Sequence, residues 1–320
     1  MRRAWGLVLI CLGVAFLALA PLMRFVAVPK LAVAPMNLDY RGDPSIASGT
    51  VAQVADLPTG TQKTDVPLIA VRRTGADVVA ADQVGGNTGV YFSTQVVSLV
   101  SDTTGQPYLP ISPERYAFDR TTSVMKAEAG ANVNGVPITK DMIGDDTIMP
   151  LKFPFFTDKK TYSIFDTSLM KGAPAEFVAE ESVEGLSTYH FRQTIPAQQV
   201  GEQAGQPLWY QLVQDMWVEP QTGQIVNGSS DQKTWLKNTD GSDGLVIING
   251  VLAFTPENVS TSVTQAKENS SKVSLLGKVV PVVSIVLGLL LLLGGVLLLR
   301  RRAEPSDVGQ REKAQPEPVG

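Results

Sequence analysis

Of the side chains that most often act as nucleophile, base or metal ligand, histidine and cysteine occur once each in this chain, as His190 and Cys11. Any Ser/His/Asp or Cys/His arrangement would have to use His190, while Cys11 lies inside an apolar run where it serves as a small hydrophobe. On the extended stretch Ser187 to Thr194, His190 shares a face with Thr188 and Arg192, opposite Tyr189 and Phe191. That is the place of a polar-face histidine, and no nucleophile signature accompanies it. No G-x-S-x-G elbow, phosphate loop or dinucleotide fingerprint is present. One cysteine forms no intrachain disulfide, and structural zinc lacks its Cys and His ligands. No cofactor is expected.

Oxygen ligands are more plentiful. Asn238, Asp240, Ser242 and Asp243, with Gly241 and Gly244, form a glycine-rich acidic loop, but the spacing breaks the EF-hand pattern and reads as a solvated turn. Glu176, Glu180, Glu181 and Glu184 could pair carboxylates for glycoside hydrolysis, yet no spacing supports it, and a solvated edge is the expectation. Asp119 beside Arg120 is the pair to inspect for an acid in a pocket, with a structural salt bridge as the ordinary alternative. A net charge of −4 without a basic stripe leaves out the electrostatic footprint of a nucleic-acid binder.

These residues must be positioned by a chain whose apolar content is gathered at its ends. From Ala4 to Met23, and from Val279 to Leu299, nearly every residue is apolar, and about 20 such residues cross a bilayer core of roughly 30 Å. Arg2 and Arg3 precede the first stretch, and Arg300, Arg301 and Arg302 follow the second, so the positive-inside rule leaves both termini in the cytoplasm. A cleaved signal peptide ending at Ala18-Leu19-Ala20 is the rival reading of the first stretch, and Pro21 just after the cut argues against it. Neither stretch holds an ionisable group that would mark an ion path. Gly288 and Gly294 lack the four-residue spacing of a membrane dimer motif, so the second stretch reads as a plain anchor.

The middle is rich in β-branched runs separated by turn chemistry. Val90 to Val100 is one run, with a turn at Asp102-Thr103-Thr104-Gly105 and a hairpin onward to Tyr108. Leu208 to Val218 is another, closed by Glu219-Pro220-Gln221-Thr222-Gly223 before Gln224-Ile225-Val226 returns. Lys160 to Phe165, Ser187 to Ile195 and Leu245 to Phe254 are further strands, the last apolar enough for burial on both faces. Thr255 caps a helix with Pro256 in its first turn and Val259, Val263 and Ala266 at helical spacing.

The expected fold is a mainly β ectodomain, a large antiparallel sheet or barrel, with one transmembrane helix at each end. The boundaries are an N-terminal anchor (1–24), an extracytoplasmic β-rich domain (25–254), a helical juxtamembrane linker (255–278), a C-terminal transmembrane helix (279–299) and a disordered cytoplasmic tail (300–320).

Three segments carry a family likeness: Tyr116-Ala117-Phe118-Asp119-Arg120-Thr121-Thr122, then Phe153-Pro154-Phe155 with Lys159-Lys160-Thr161-Tyr162-Ser163-Ile164-Phe165-Asp166, then Gly185-Leu186-Ser187-Thr188-Tyr189-His190-Phe191. With an anchor at each end, the chain resembles the actinobacterial membrane family known as the porin PorA family. The resemblance implies an actinobacterial envelope protein and singles out Asp119, Arg120, Tyr162 and Asp166 as a candidate structural motif. The topology is also similar to the scavenger-receptor plan, in which two anchors flank a lipid-conducting β domain. The expected function is a non-enzymatic envelope protein whose ectodomain binds or passes a lipid or other apolar envelope component. The alternatives are an assembly module docking on another membrane protein, and an envelope hydrolase. Membrane lipid and a second envelope protein are the expected partners, and nucleic acid is not.

Overall fold

The computed structural model describes residues 2–56, 59–101 and 106–300, so the turn expected at Asp102–Gly105 and the tail with Arg301 and Arg302 lie outside the described residues. The chain forms two compact units, residues 28–275 and the paired terminal helices.

In the helical unit, α1 (Arg2–Leu22) packs along the C-terminal helix Val280–Arg300. Both helices are long and apolar enough to cross a membrane. Gly13 meets Gly288, where an added Cβ would lie 2.9 Å from the Gly288 carbonyl, and Gly295 meets Gly6, where it would lie 2.8 Å from the Gly6 carbonyl. Each pair is one heptad apart on its helix, and buried Ala20 and Pro281 continue both rows. The second span is therefore more than a plain anchor. Its small residues make a close helix contact, through Gly295 and at heptad rather than four-residue spacing.

The other unit is built mostly of strands. The short helix α2 (Val28–Leu31) leads to the hairpin of β1 (Ser45–Asp56) and β2 (Thr61–Ala76). Next come α3 (Val78–Val84), β3 (Thr88–Leu99), β4 (Ser112–Asp119) and the short β5 (Met125–Lys126), β6 (Asn132–Val133) and β7 (Val136–Pro137). After α4 (Lys140–Ile143), a meander follows: β8 (Tyr162–Asp166), β9 (Lys171–Val183), β10 (Leu186–Gln203), β11 (Gln206–Glu219), β12 (Gln224–Lys237) and β13 (Asp243–Phe254). Then α5 (Pro256–Ser274) begins, and α6 is the C-terminal helix. The sheet order is β7-β6-β4-β3-β2-β1-β13-β12-β11-β10-β9-β8, with β5 on β4.

The sheet closes on itself through one residue. Ile148 bridges Val124, beside β5, and Ile164 on β8. Its N–H donates to the Ser163 carbonyl at 2.8 Å and its carbonyl accepts from Phe165 at 3.0 Å. On the other side Met125 donates to Thr147 and Met149 donates to Ser123. Closure gives the strands an inside, and side chains alternate across it. On β11, Tyr210, Leu212 and Met216 are buried within, whereas Gln211 and Val213 are exposed. The strand exteriors carry exposed Glu176, Glu180, Arg192 and Asp231.

The local expectations meet the structure at several points. The turn after β11 keeps Gly223 at φ 73°, where the chain passes so close to the Phe153 carbonyl that no Cβ fits. Val246, Ile247 and Ile248 are buried in succession on β13, as a doubly covered strand requires. Thr255 accepts the Asn258 N–H, Pro256 occupies the first turn, and Val263 and Ala266 pack on Val226. The hairpin from β3 also forms, with Tyr108 N–H donating to Val97 at 2.6 Å before β4 begins. The β1–β2 hairpin and most of β9 were not expected from the runs.

Closure through Ile148 can be tested directly. Ile148→Pro deletes the N–H bonded to Ser163 and should cost about 3 kcal/mol or more in urea unfolding, whereas Ile148→Val should cost only about 1 kcal/mol.

Candidate functional site

The closed sheet encloses a cavity of about 310 Å³, near the lower bound of ligand pockets. One wall is polar because registered neighbours on three strands turn polar side chains inward. Arg72 on β2 stands opposite Gln95 on β3, and Ser93 opposite Glu114 on β4. Arg72 donates to Glu114 at 2.5 Å, to Gln95 at 2.7 Å and to Ser93 at 3.3 Å. Tyr116 donates to the same Glu114 oxygen at 2.9 Å. Burial disfavours the Arg72 cation, but the Glu114 charge and Tyr116 outweigh it and hold the pKa above its ordinary value. Burial, reinforced by Glu114, pushes the Tyr116 phenol far up, so it stays a donor. Only 2% of the Glu114 side chain is exposed, so the carboxylate is tolerable only because Arg72 and Tyr116 satisfy it.

Asp166 at the end of β8 also lines the cavity, accepting from Tyr210 at 3.0 Å and from the backbone N–H groups of Ser168 and Leu169. Burial raises its pKa despite those bonds. Leu212, Met216, Leu252 and Phe254 line it as well. Arg72 is neutralised by Glu114, so the cavity offers hydrogen-bond donors and acceptors beside an apolar surface, with one further carboxyl at Asp166. That suits an amphipathic guest.

The four motif residues do not converge. Asp166 joins the cavity. Asp119 instead caps a turn, accepting from Thr121 and Thr122 N–H, from Thr122 Oγ1 and from Asn87. Burial opposes the Asp119 charge, yet these bonds prevail and lower its pKa. The expected salt bridge with Arg120 does not form: Arg120 donates to the Ala34 carbonyl at 2.8 Å. Adjacent strand residues point to opposite faces, which separates the pair. Tyr162 accepts from the Asp158 N–H and packs its ring 5.4 Å from Phe153 and 5.7 Å from Phe191. The orientation markers lie at the helix ends, with Arg2 and Arg3 opening α1 and Arg300 closing α6.

His190 lies on the outer face and takes no part in the cavity. Its Nδ1 is 3.1 Å from Glu181 and its Nε2 2.6 Å from Asp215, and its ring stacks on Trp217 at 4.6 Å. The polar face was the expected place, but neighbours bury the ring instead of leaving it to water. Glu181 is exposed, as a solvated edge requires, while holding His190, and exposed Glu180 pairs with Lys159. In the acidic loop, Asp240 accepts from Ser242 and Asp243 from Lys233 and Trp235, a hydrogen-bonded turn. Among the described residues no three of His, Cys, Asp and Glu are placed to hold a metal. Reading along the chain missed Arg72, Glu114 and Tyr210; the one available signal was a charge at an alternate position in Leu68-Ile69-Ala70-Val71-Arg72.

A mainly β domain in a chain with two helices long and apolar enough to cross a bilayer defines a membrane protein. The chain matches the Porin PorA family over residues 5–297 and belongs to it. A Porin PorA of Corynebacterium amycolatum is 24% identical over 244 residues, covering 63% of this chain and 60% of the relative. A Porin PorA of Corynebacterium resistens is also 24% identical, over 60% of this chain and 67% of the relative. The chain therefore spans about 60% of the length of the first of these relatives.

Lys152 gives the domain a pH signature. It is half-buried overall, but its ammonium is enclosed, 3.9 Å over the Phe155 ring and 2.8 Å from the Phe153 carbonyl. Burial pushes its pKa down to about 7, against the opposing Glu219 charge. Above pH 7 the folded state therefore binds fewer protons than the unfolded chain, whose lysines titrate near ~10.4. Stability should rise with pH across that window. Chemical unfolding of the Lys152→Met variant should lack this rise relative to the unsubstituted chain.

Proposed function

We propose that this chain is a non-enzymatic cell-envelope membrane protein whose β domain binds, or passes along its interior, a lipid or other amphipathic envelope component. The cavity carries the reading: polar groups at Arg72–Glu114 and at Asp166–Tyr210 flank an apolar wall of Leu212, Met216, Leu252 and Phe254. A guest with a polar head and an apolar stem would match both parts, and the buried polar groups would select for the head. A non-enzymatic role is supported by His190, which lies on the opposite face of the sheet from this cavity with both ring nitrogens engaged. The name of the relatives, porin, fits passage as well as binding.

In this reading both termini are cytoplasmic and the β domain lies outside. Exposed Glu176, Glu180, Arg192 and Asp231 support a barrel bathed in water, because charges on a lipid-facing strand surface cost about 2–4 kcal/mol each at mid-bilayer. The helices would then be the part that crosses. A reporter fused after residue 320 should remain inside the cell, and its export would refute this orientation.

For binding, the full chain purified in mild detergent should yield co-purifying lipid on solvent extraction and mass spectrometry. Leu212→Trp, which fills the cavity, should lower that yield several-fold at unchanged folding. Equal yields from the two proteins would refute occupancy of the cavity.

A further inference from the structure

Towards the β1–β2 turn, Tyr108 and Leu109, ahead of β4, pack against the apolar interior of the barrel. There Tyr108 N–H donates to the Val97 carbonyl at 2.6 Å, Leu109 N–H to the same oxygen at 3.4 Å, and Ser98 Oγ to the Gln106 carbonyl. These bonds seat Tyr108 and Leu109 on inward-facing Val51, Val54, Val66, Leu68, Val97 and Ile248. The apolar seat runs into the cavity, because Ala47, Ala70 and Leu252 belong to both. Ser45, Arg72 and Phe254, towards the other end of their strands, also line the cavity.

The seat has one flaw. Among the described residues the enclosed Tyr108 hydroxyl has no hydrogen-bond partner, while Lys63 approaches only the ring, at 5.1 Å. A buried hydroxyl left unpaired destabilises the docked arrangement, and swinging out to water would satisfy it. Phenylalanine would fill the same space without that penalty. A contact that is apolar enough to seal, but weakened by one orphaned group, is poised to open.

We propose that Tyr108 and Leu109 form a hinged stopper whose release opens the cavity along the barrel axis, at the end away from Ser45 and Phe254. This rests on the ligand-binding reading above, and it gives the pocket a second mouth. Entry and exit of the guest would both wait on the stopper.

The test uses the full chain in detergent and a fluorescent long-chain fatty acid as probe. Tyr108→Phe, which removes the orphaned hydroxyl, should slow probe uptake and release about fivefold or more. Leu109→Ser, which weakens the apolar seat, should speed both by a similar factor, and the probe's equilibrium affinity should hold in each. Unchanged rates, or rates that move in the same direction, would overturn the stopper. If the unsubstituted chain takes up no probe, the ligand-binding reading loses its support, and amide hydrogen exchange decides the stopper by itself. Exchange at Tyr108 and Leu109 should be slower in Tyr108→Phe and faster in Leu109→Ser, and an absence of that contrast would overturn it.

Discussion

The β domain depends on the backbone bonds of Ile148. Without its bridges to Val124 and Ile164, the sheet would end in two free edges, at the β4 side and at β8, and no surface of it would be an interior. With them, the alternation along every strand acquires a meaning, because one set of side chains faces an enclosed space and the other faces out. The packing follows from that division: Phe153, Tyr162 and Phe191 form an aromatic cluster beside Ile148, and Tyr116 and Phe165 meet edge to face at 6.5 Å.

Closure also decides where polarity can be tolerated. Arg72 and Glu114 would be an ordinary surface pair on an open sheet; inside the barrel their desolvation is large, and only mutual pairing with Tyr116, Gln95 and Ser93 makes them acceptable. An interior filled with Leu and Val would be more stable. The retention of a satisfied polar wall beside an apolar one is therefore the feature that asks for a functional explanation. The outer cluster of His190, Glu181, Asp215 and Trp217 has a different character, since it ties β9, β10 and β11 together and offers no space to a ligand.

The helical unit solves a separate problem. In lipid there is no hydrophobic drive to bring helices together, so their contact rests on close van der Waals approach. Gly6, Gly13, Gly288 and Gly295 provide it by letting one backbone touch the other. The outward sides of the helix pair are Leu and Val, with Leu290 and Leu293 among the most exposed.

What could be read from the chain alone was whatever depends on neighbours in sequence. The two spans follow from run length, the β11–β12 turn from Glu219-Pro220 and Gly223, the start of α5 from Thr255 and Pro256, and the all-β middle from its alternating runs. The cavity was not legible, because its polar wall joins residues 42 apart, Arg72 and Glu114, and its second polar pair joins Asp166 and Tyr210, 44 apart, through strand registers that no local pattern encodes. Closure was hidden for the same reason: a bridge of a single residue leaves no period to detect. Local propensity and hydrophobic length are properties of a segment, so the sequence carries them openly. Which face becomes the inside, and which charges meet there, is decided only when distant strands come into register.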